Sequence, residues 1–402
     1  MGWTNTFKKI FNASEVKASK SSPLLVQFGA NQPRFTPRQY DRLADEGYQK
    51  NIIAYRCVKL ISQNAAMIPL TVHQGKGKDK VRLYDHPLVD LLQRPNPKQG
   101  RSELFESLFS FLLISGNSYL EAVGPIGRTP MELWALRPDR MQIIPGAHGM
   151  VETYRYSVNG KSVDFKVDPV NGQAQVLHMK SFHPLDDWYG MSPLEAAAIS
   201  VDQHNDAAKW NASLLQSSGR PSGAVVYNPS SDAASDVMTE DQRNNLKLEL
   251  EGFFSGADNA GRPLVLEGGL DWREMSLSPK DMDWLAGKDV SAREIALAFN
   301  VPAQLIGIAG SLTFSNFEQA RLALFDDAVL PLLDHLKTEL NNWLCPQFGE
   351  DISIDFDLDA VEALAPRRNE AWTRINNTSF MTVNEKRRAL GLEPLKDGDK
   401  IV

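Results

Sequence analysis

Between Ile295 and Phe317 the chain carries no Asp, Glu, Lys or Arg. A membrane span is the first thing such a window suggests, and its own residues exclude it. Pro302, Gln304, Gly307, Gly310, Asn300, Asn316, Ser311 and Ser315 interrupt it. Each brings a polar group or a helix break that lipid does not tolerate. What remains is an uncharged, glycine-punctuated loop with helical flanks. Upstream, Leu285, Ala292, Ile295, Ala296 and Phe299 recur at helical spacing. Downstream, Ser315-Asn316-Phe317-Glu318 reads as a capping box, followed by apolar Phe317, Ala320, Leu324 and Ala328. A long uncharged loop between two helices either packs against a partner or lines something it must not grip.

Composition narrows the setting of that loop. A chain of 402 residues is too long for one ordinary core, which predicts two or three sub-domains. A hydrophobic content of 42% with 23% charged residues is that of a soluble globular protein. The net charge of −7 offers no overall basic footprint for nucleic acid, so any DNA contact is local or weak. Cys57 and Cys345 are the only cysteines, too few for a disulfide framework or a zinc site and suited to a reducing cytoplasm. Lys8, Lys9, Lys17 and Lys20 precede no apolar core of signal-peptide length, so export is not expected.

Taken in order, residues 1–44 are polar, basic and proline-punctuated, which predicts an extended arm. Ile53, Cys57, Leu60 and Ile61 predict a helix over 51–67 that stops before Ile68-Pro69. Leu70–His73 reads as a strand, His86–Leu92 as a short helix, and Leu104, Phe105, Leu108, Phe109 and Leu112 as a strongly apolar one closed at Gly116. Strands follow at 119–123, 133–136, 154–158, 161–167 and 176–179, with Asn159-Gly160 as a hairpin turn. Ser192-Pro193-Leu194-Glu195 is a capping box with proline at the first helical position, opening a helix expected to run to Ser218. Its apolar stripe (Leu194, Ala198, Val201, Ala208, Leu214, Leu215) is thin, which suits packing beside copies of itself. Residues 219–284 read as a compact αβ insertion. The helix from Asn316 contains Pro331, where a kink is expected. A strand over 351–358 and polar helices to the end follow, the last capped by Thr382 and Glu385.

No chemistry stands out. The seven histidines fall at no metal-ligand spacing, and GxSxG, P-loop, GxGxxG and HExxH are all missing. Asp186-Asp187 and the Asp281/Asp283 pair are the only hints of a hard-metal site, and isolated acidic pairs on loops are ordinarily solvated. His204, inside Gln203-His204-Asn205-Asp206, reads as part of a polar helix face rather than a base. Lys209, Arg220, Lys280, Lys288 and Arg293 lie near the two central helices, with salt bridging as the plain reading of each. The sequence makes no case for an enzyme, a cofactor or a metal.

Eight short motifs in order do carry a resemblance. Gly190–Glu195, Gly219–Gly223, Asn259–Gly261, Leu266–Gly269, Arg293–Ala296, Asn300–Pro302, Leu305–Gly307 and Ser315–Gln319 resemble the portal proteins of tailed bacteriophages. The likeness extends from about Tyr55 to Leu395. It implies an α+β subunit of a ring, usually dodecameric, at one capsid vertex, through which double-stranded DNA is packaged and later ejected. Residues 45–191 and 316–360 would be the wing, 192–218 and 285–300 paired stem helices, and 219–284 the clip. Residues 301–315 would form a tunnel loop and 361–402 a crown. The implied partners are copies of the chain itself, DNA, the terminase large subunit, a head–tail adaptor and the major capsid protein, with no membrane. The implied location is the virion, after assembly in the host cytoplasm.

On that map Leu305, Ile306, Ile308, Leu312, Thr313 and Phe314 are the loop residues expected near DNA, and Lys288 and Arg293 the stem contacts. Tyr227, Arg243, Phe253, Phe254 and Arg262 are the clip residues expected to meet terminase and then adaptor. An uncharged loop permits sliding, whereas Lys or Arg on phosphates would bind strongly. The competing reading of the apolar loop residues is packing against neighbouring subunits. Another head–tail connector component, or a metal-dependent nucleic-acid enzyme built on the acidic pairs, are the other functions in play.

Overall fold

Tyr40–Arg42 forms helix α1, which widens at once into a π turn over Leu43–Gln49. The computed structural model describes residues 40–77, 80–125, 129–146, 150–216, 223–227, 240–241, 243–245, 248, 270–274, 284–308, 314–390, 392 and 395–399. The arm expected over 1–44 therefore ends early. From Tyr40 the chain is helical, with Leu43 buried against neighbouring helices. The remainder of the arm lies outside the described residues.

Asn51 then caps α2 (Ile52–Met67), its side chain accepting from Ile53 N and Ala54 N at 3.0 Å. The helix stops at Ile68, whose extended backbone is what a following proline demands. β1 (Leu70–Gln74) and β2 (Val81–Leu83) form a hairpin, followed by α3 (Pro87–Gln93) and α4 (Arg101–Ser115). α4 ends at Gly116 in the left-handed region, φ 74°. β3 (Asn117–Val123), β4 (Glu132–Leu136) and β8 (Val176–Lys180) make one antiparallel sheet in the order β4-β3-β8. β5 (Met141–Pro145), β6 (Val151–Val158) and β7 (Lys161–Lys166) make a second. Asn159 and Gly160, both at positive φ, supply the turn between β6 and β7.

The helix expected over 192–218 is two helices among the described residues, α5 (Pro193–Ala196) and α6 (Ala198–Gln216). Helical geometry lapses at Ala197, φ −85° and ψ 4°, between two packed ends. Leu194 is fully buried, and a Cβ on Gly47 would stand 2.7 Å from its Cδ2, so the π turn fits over that leucine only because residue 47 is glycine. β9 (Gly223–Tyr227) pairs antiparallel with β10 (Leu270–Glu274) at the base of the αβ insertion. α7 (Trp284–Ala298) returns alongside α6.

α8 (Phe314–Leu324) begins one residue before Ser315, so the expected capping serine is already helical. A π turn over Phe325–Val329 separates α8 from α9 (Leu330–Trp343). Pro331 explains it: the ring has no N–H to give and crowds the carbonyl four residues back, Asp327. The chain opens its helical turn there, and the Asp327 carbonyl instead accepts from Asn300 Nδ2 at 3.3 Å. β11 (Ile352–Phe356) then crosses back to pair with β1, Leu70 opposite Phe356 and Gln74 opposite Ile352. α10 (Ala365–Asn376) and α11 (Val383–Ala389) follow, α11 carrying the expected Thr382/Glu385 capping box.

One large core joins these parts. α2, α4, α7, α8, α9 and β11 all contribute buried residues, among them Ile61, Leu104, Ile295, Leu324, Leu336 and Ile354. A smaller cluster of Tyr119, Leu136, Met141, Phe165 and Val176 is drawn from the β4-β3-β8 and β5-β6-β7 sheets. Cys57 and Cys345 are free thiols inside the core, pushed up to about 12 and about 11 by burial. Among the described residues no helix is long and apolar enough to cross a membrane.

Candidate functional site

The uncharged window emerges where α7 ends. Asn300, at φ 53°, turns the chain, Val301 is buried, and Pro302 leads into a single 3-10 turn over Ala303–Ile306. Gly307, at φ 81°, ends that turn, a conformation that favours glycine. Leu305 and Ile306 pack half-buried on the main core, and Ile308 is 8% exposed. Within the subunit these three hold the loop down, Ile308 wholly and Leu305 and Ile306 in part. Burying an Ile or Leu side chain contributes about 1.5–3 kcal/mol, so a loop with few polar groups is held down by them rather than offering them outward. Leu312 and Thr313 lie outside the described residues. Phe314 is the first residue of α8.

Polar groups tie α6 to α7 and to the start of α2. Ser200 Oγ donates to Glu294 Oε2 at 2.7 Å, linking α6 to α7. Asn51 Nδ2 donates to Asn205 Oδ1 at 3.0 Å and to His204 Nδ1 at 3.3 Å. Asn205 Nδ2 in turn donates to the Glu46 carbonyl at 2.8 Å. Asn51, His204 and Asn205 are all buried, at 1%, 5% and 6% exposure. His204 is thus a neutral acceptor at Nδ1, held below its ordinary pKa by burial and then by the nearby Lys288 charge. The polar run expected on a solvated face is half a buried knot, with only Gln203 and Asp206 turned outward. The legible clue was Asn51 directly before an apolar periodic run, the ordinary place for an N-cap.

Lys288 is half-buried beside this knot, while Arg293 is exposed on α7 and engaged in an interaction within the subunit. The exposed apolar surface of α6 and α7 is more pronounced than the thin stripe of α6 suggests. Ile199, Val290 and Leu297 are 49%, 54% and 74% exposed, the last two spaced seven residues apart on one side of α7. Of the residues expected in a clip, Tyr227 ends β9 and Arg243 is exposed in a helical stretch, whereas Phe253, Phe254 and Arg262 lie outside the described residues.

A second polar hub fixes the loop that precedes α5. Asn117 Oδ1 accepts from Gly190 N at 2.8 Å and from His178 Nε2 at 3.0 Å, so the imidazole carries its proton on Nε2. Burial, reinforced by Lys180, lowers the His178 pKa to about 3. Asp186 takes no metal-like role. Its Oδ1 accepts from Trp188 N and Tyr189 N at 2.7 and 3.0 Å, closing a turn of its own. Asp281 and Asp283 lie outside the described residues. Among the described residues no three His, Cys, Asp or Glu side chains converge on a cation site.

Comparison with known proteins places this arrangement. The profile of the family described as Phage portal protein matches residues 53–391. An uncharacterized protein of Rickettsia bellii is 42% identical over 360 residues, covering 90% of this chain and 91% of its own length. The portal protein of Enterobacteria phage HK97 is 24% identical, covering 88% and 82%. The chain belongs to the phage portal protein family, whose members are structural assembly components rather than enzymes. Among solved structures, a chain from the neck of an empty gene transfer agent (GTA) particle is 44% identical with a TM-score of 0.69. That match covers 92% of this chain and 98% of the other. A portal protein from Corynebacterium diphtheriae shares the fold at 18% identity, with a TM-score of 0.57.

Proposed function

We propose that this chain closes into a twelve-membered ring at the neck of a phage-like particle and passes double-stranded DNA through the central channel. The observation that carries this reading is a 43% identical chain in the neck of a native GTA particle computed with C12 symmetry, matched over 91% of this chain and 97% of that one. Identity to the GTA neck chains stands well above the 24–25% shared with the portal proteins of phages HK97 and phiC31, which favours a particle of the gene-transfer type. The virion is accordingly its location, after assembly in the host cytoplasm. The exposed apolar face of α7, with Val290 and Leu297, is what a neighbouring copy would cover.

In this reading Leu312, Thr313 and Phe314 face the channel from the loop, and Arg293 faces it from the stem. Leu305, Ile306 and Ile308 hold the loop to the wing. The described stem carries Asp202, Asp206, Asp289 and Glu294 against Lys209, Lys288 and Arg293, a balance that does not hold phosphates tightly. The clip, with Tyr227, Arg243, Phe253, Phe254 and Arg262, receives terminase and then the adaptor, and the wing abuts the major capsid protein. The test is complementation of a strain lacking this chain. With Leu312 and Phe314 both changed to alanine, rings should assemble while DNase-protected DNA per particle falls. Unchanged packaging would remove the loop from the mechanism.

A further inference from the structure

Two separate ties meet at adjacent residues of the π turn over Phe325–Val329. The bond that defines this turn runs from Leu330 N–H to the Phe325 carbonyl, five residues back rather than four. Two features fix it in place. Pro331 offers no N–H to the carbonyls behind it. Leu324 and Val329 are both fully buried yet stand five residues apart, one more than the stripe of a straight α-helix allows, and the extra residue of the wide turn brings both inward.

One tie reaches the root of the uncharged loop. Asn300, at φ 53°, donates its side-chain amide to the Asp327 carbonyl at 3.3 Å, and Val301 beside it is buried. The other tie reaches α10. Asp326, one residue earlier, accepts from both terminal nitrogens of the Arg367 guanidinium, at 2.6 and 2.7 Å. α10 has no buried side chain to seat it, and Trp372 stands exposed on it. It depends on its first turn, with Arg367 on Asp326 and Arg368 donating to the Asp359 carbonyl. α11 is joined to α10 through Lys386, which donates to the Asn376 carbonyl at 3.2 Å. It closes on the segment after it through the buried Asn384, which bonds Leu395 and Asp399.

We propose that the π turn couples the root of the loop to the C-terminal helix pair, so that displacing either one loosens the other. The Asp326 carboxylate and the Asp327 carbonyl belong to one short, fixed piece of backbone, and a shift that breaks one bond strains its neighbour. Coupling of this kind is reciprocal: what Asn300 does to the hold on Arg367, Arg367 does to the hold on Asn300. It belongs to the single subunit. Only its use rests on the ring reading, in which DNA pressing on the root of the loop would be registered at α10.

Hydrogen–deuterium exchange of the full-length chain, read on peptides from 299–308 and 365–376, tests this. Arg367→Ala removes an exposed side chain, so the fold should be kept. Exchange within 365–376 should quicken, and exchange within 299–308 should follow by about twofold to fivefold, the span of one well-formed surface pair. Asn300→Gly removes the amide while accepting the positive φ, and should quicken 365–376 by a similar factor. Arg155→Ala is the control, because it breaks an equally two-pronged pair with Asp164 on β7. It should leave both peptides unchanged. Quickening confined to 365–376 in Arg367→Ala, or an unchanged 365–376 in Asn300→Gly, would overturn the proposal. Equal quickening in Arg155→Ala would overturn it too, since a general loss of stability would then account for the effect. The rates are read on the subunit, so a chain that forms no ring would refute the ring and leave this coupling standing.

Discussion

Asn51→Ala is the most informative single substitution where α2 meets α6. Three contributions are removed together. The cap on α2 loses its acceptor for Ile53 N and Ala54 N, worth about 1 kcal/mol. The donors to Asn205 Oδ1 and His204 Nδ1 disappear, leaving two buried acceptors without their partner. Each costs about 1 kcal/mol or more when orphaned, and the Asn205 contact is the better formed at 3.0 Å. The sum is about 3 kcal/mol, lessened where water enters the space left by the amide. Urea unfolding of the full-length protein followed by circular dichroism measures it. Asn51→Asp keeps the cap but sets a buried carboxylate against two acceptors, so it should lose at least as much as Asn51→Ala. A loss below about 0.5 kcal/mol in Asn51→Ala would show that the buried knot does not hold α6 to α2.

Three other substitutions read different parts of the account. Gly190→Ala would set a Cβ 2.1 Å from the Gly116 carbonyl oxygen, a backbone atom that cannot step aside, so soluble folded protein should fall sharply by gel filtration. His178 has a folded pKa of about 3, and its unfolded value is near 6.5. Above pH 6.5 both states are neutral and nothing changes. Below it the unfolded chain takes up a proton that the folded chain refuses, so stability falls as pH drops, by about 2 kcal/mol between pH 6.5 and 5. His204, also held below its ordinary value, adds in the same direction. His178→Gln should flatten that slope in urea titrations at the two pH values. Leu297→Glu alters a side chain 74% exposed in the subunit, so subunit stability should hold within about 0.5 kcal/mol while ring formation is lost. Intact rings in that variant would place the interface elsewhere.

Much of the fold was legible because it follows from local chemistry. Proline after Ile68, Gly116 closing α4, the Asn159-Gly160 turn and the Thr382 capping box each act within a few residues, and each falls where the sequence put it. What escaped notice depends on distant partners. The helical start at Tyr40 is stabilised by packing that no window of the arm contains. The π turn at Phe325–Val329 follows from Pro331, but the Asn300 amide that takes up the stranded Asp327 carbonyl comes from 27 residues away. The same limit applied to the site. Uncharged composition singles out the loop after α7 but carries no signal for which of its apolar residues pack within the subunit. Nothing in the window's composition marks Ile308 as a residue buried within its own subunit. His204 and Asn205 looked like a wet helix face because their partner, Asn51, lies more than 150 residues earlier.

The central claim is a closed ring, and native mass spectrometry of the purified chain, with negative-stain images of the same sample, tests it most directly. A single dominant species of twelve 44.8-kDa chains, seen as rings with a central hole, is the predicted result. A protein that stays monomeric even when the scaffold and capsid proteins of its particle are present would contradict the account.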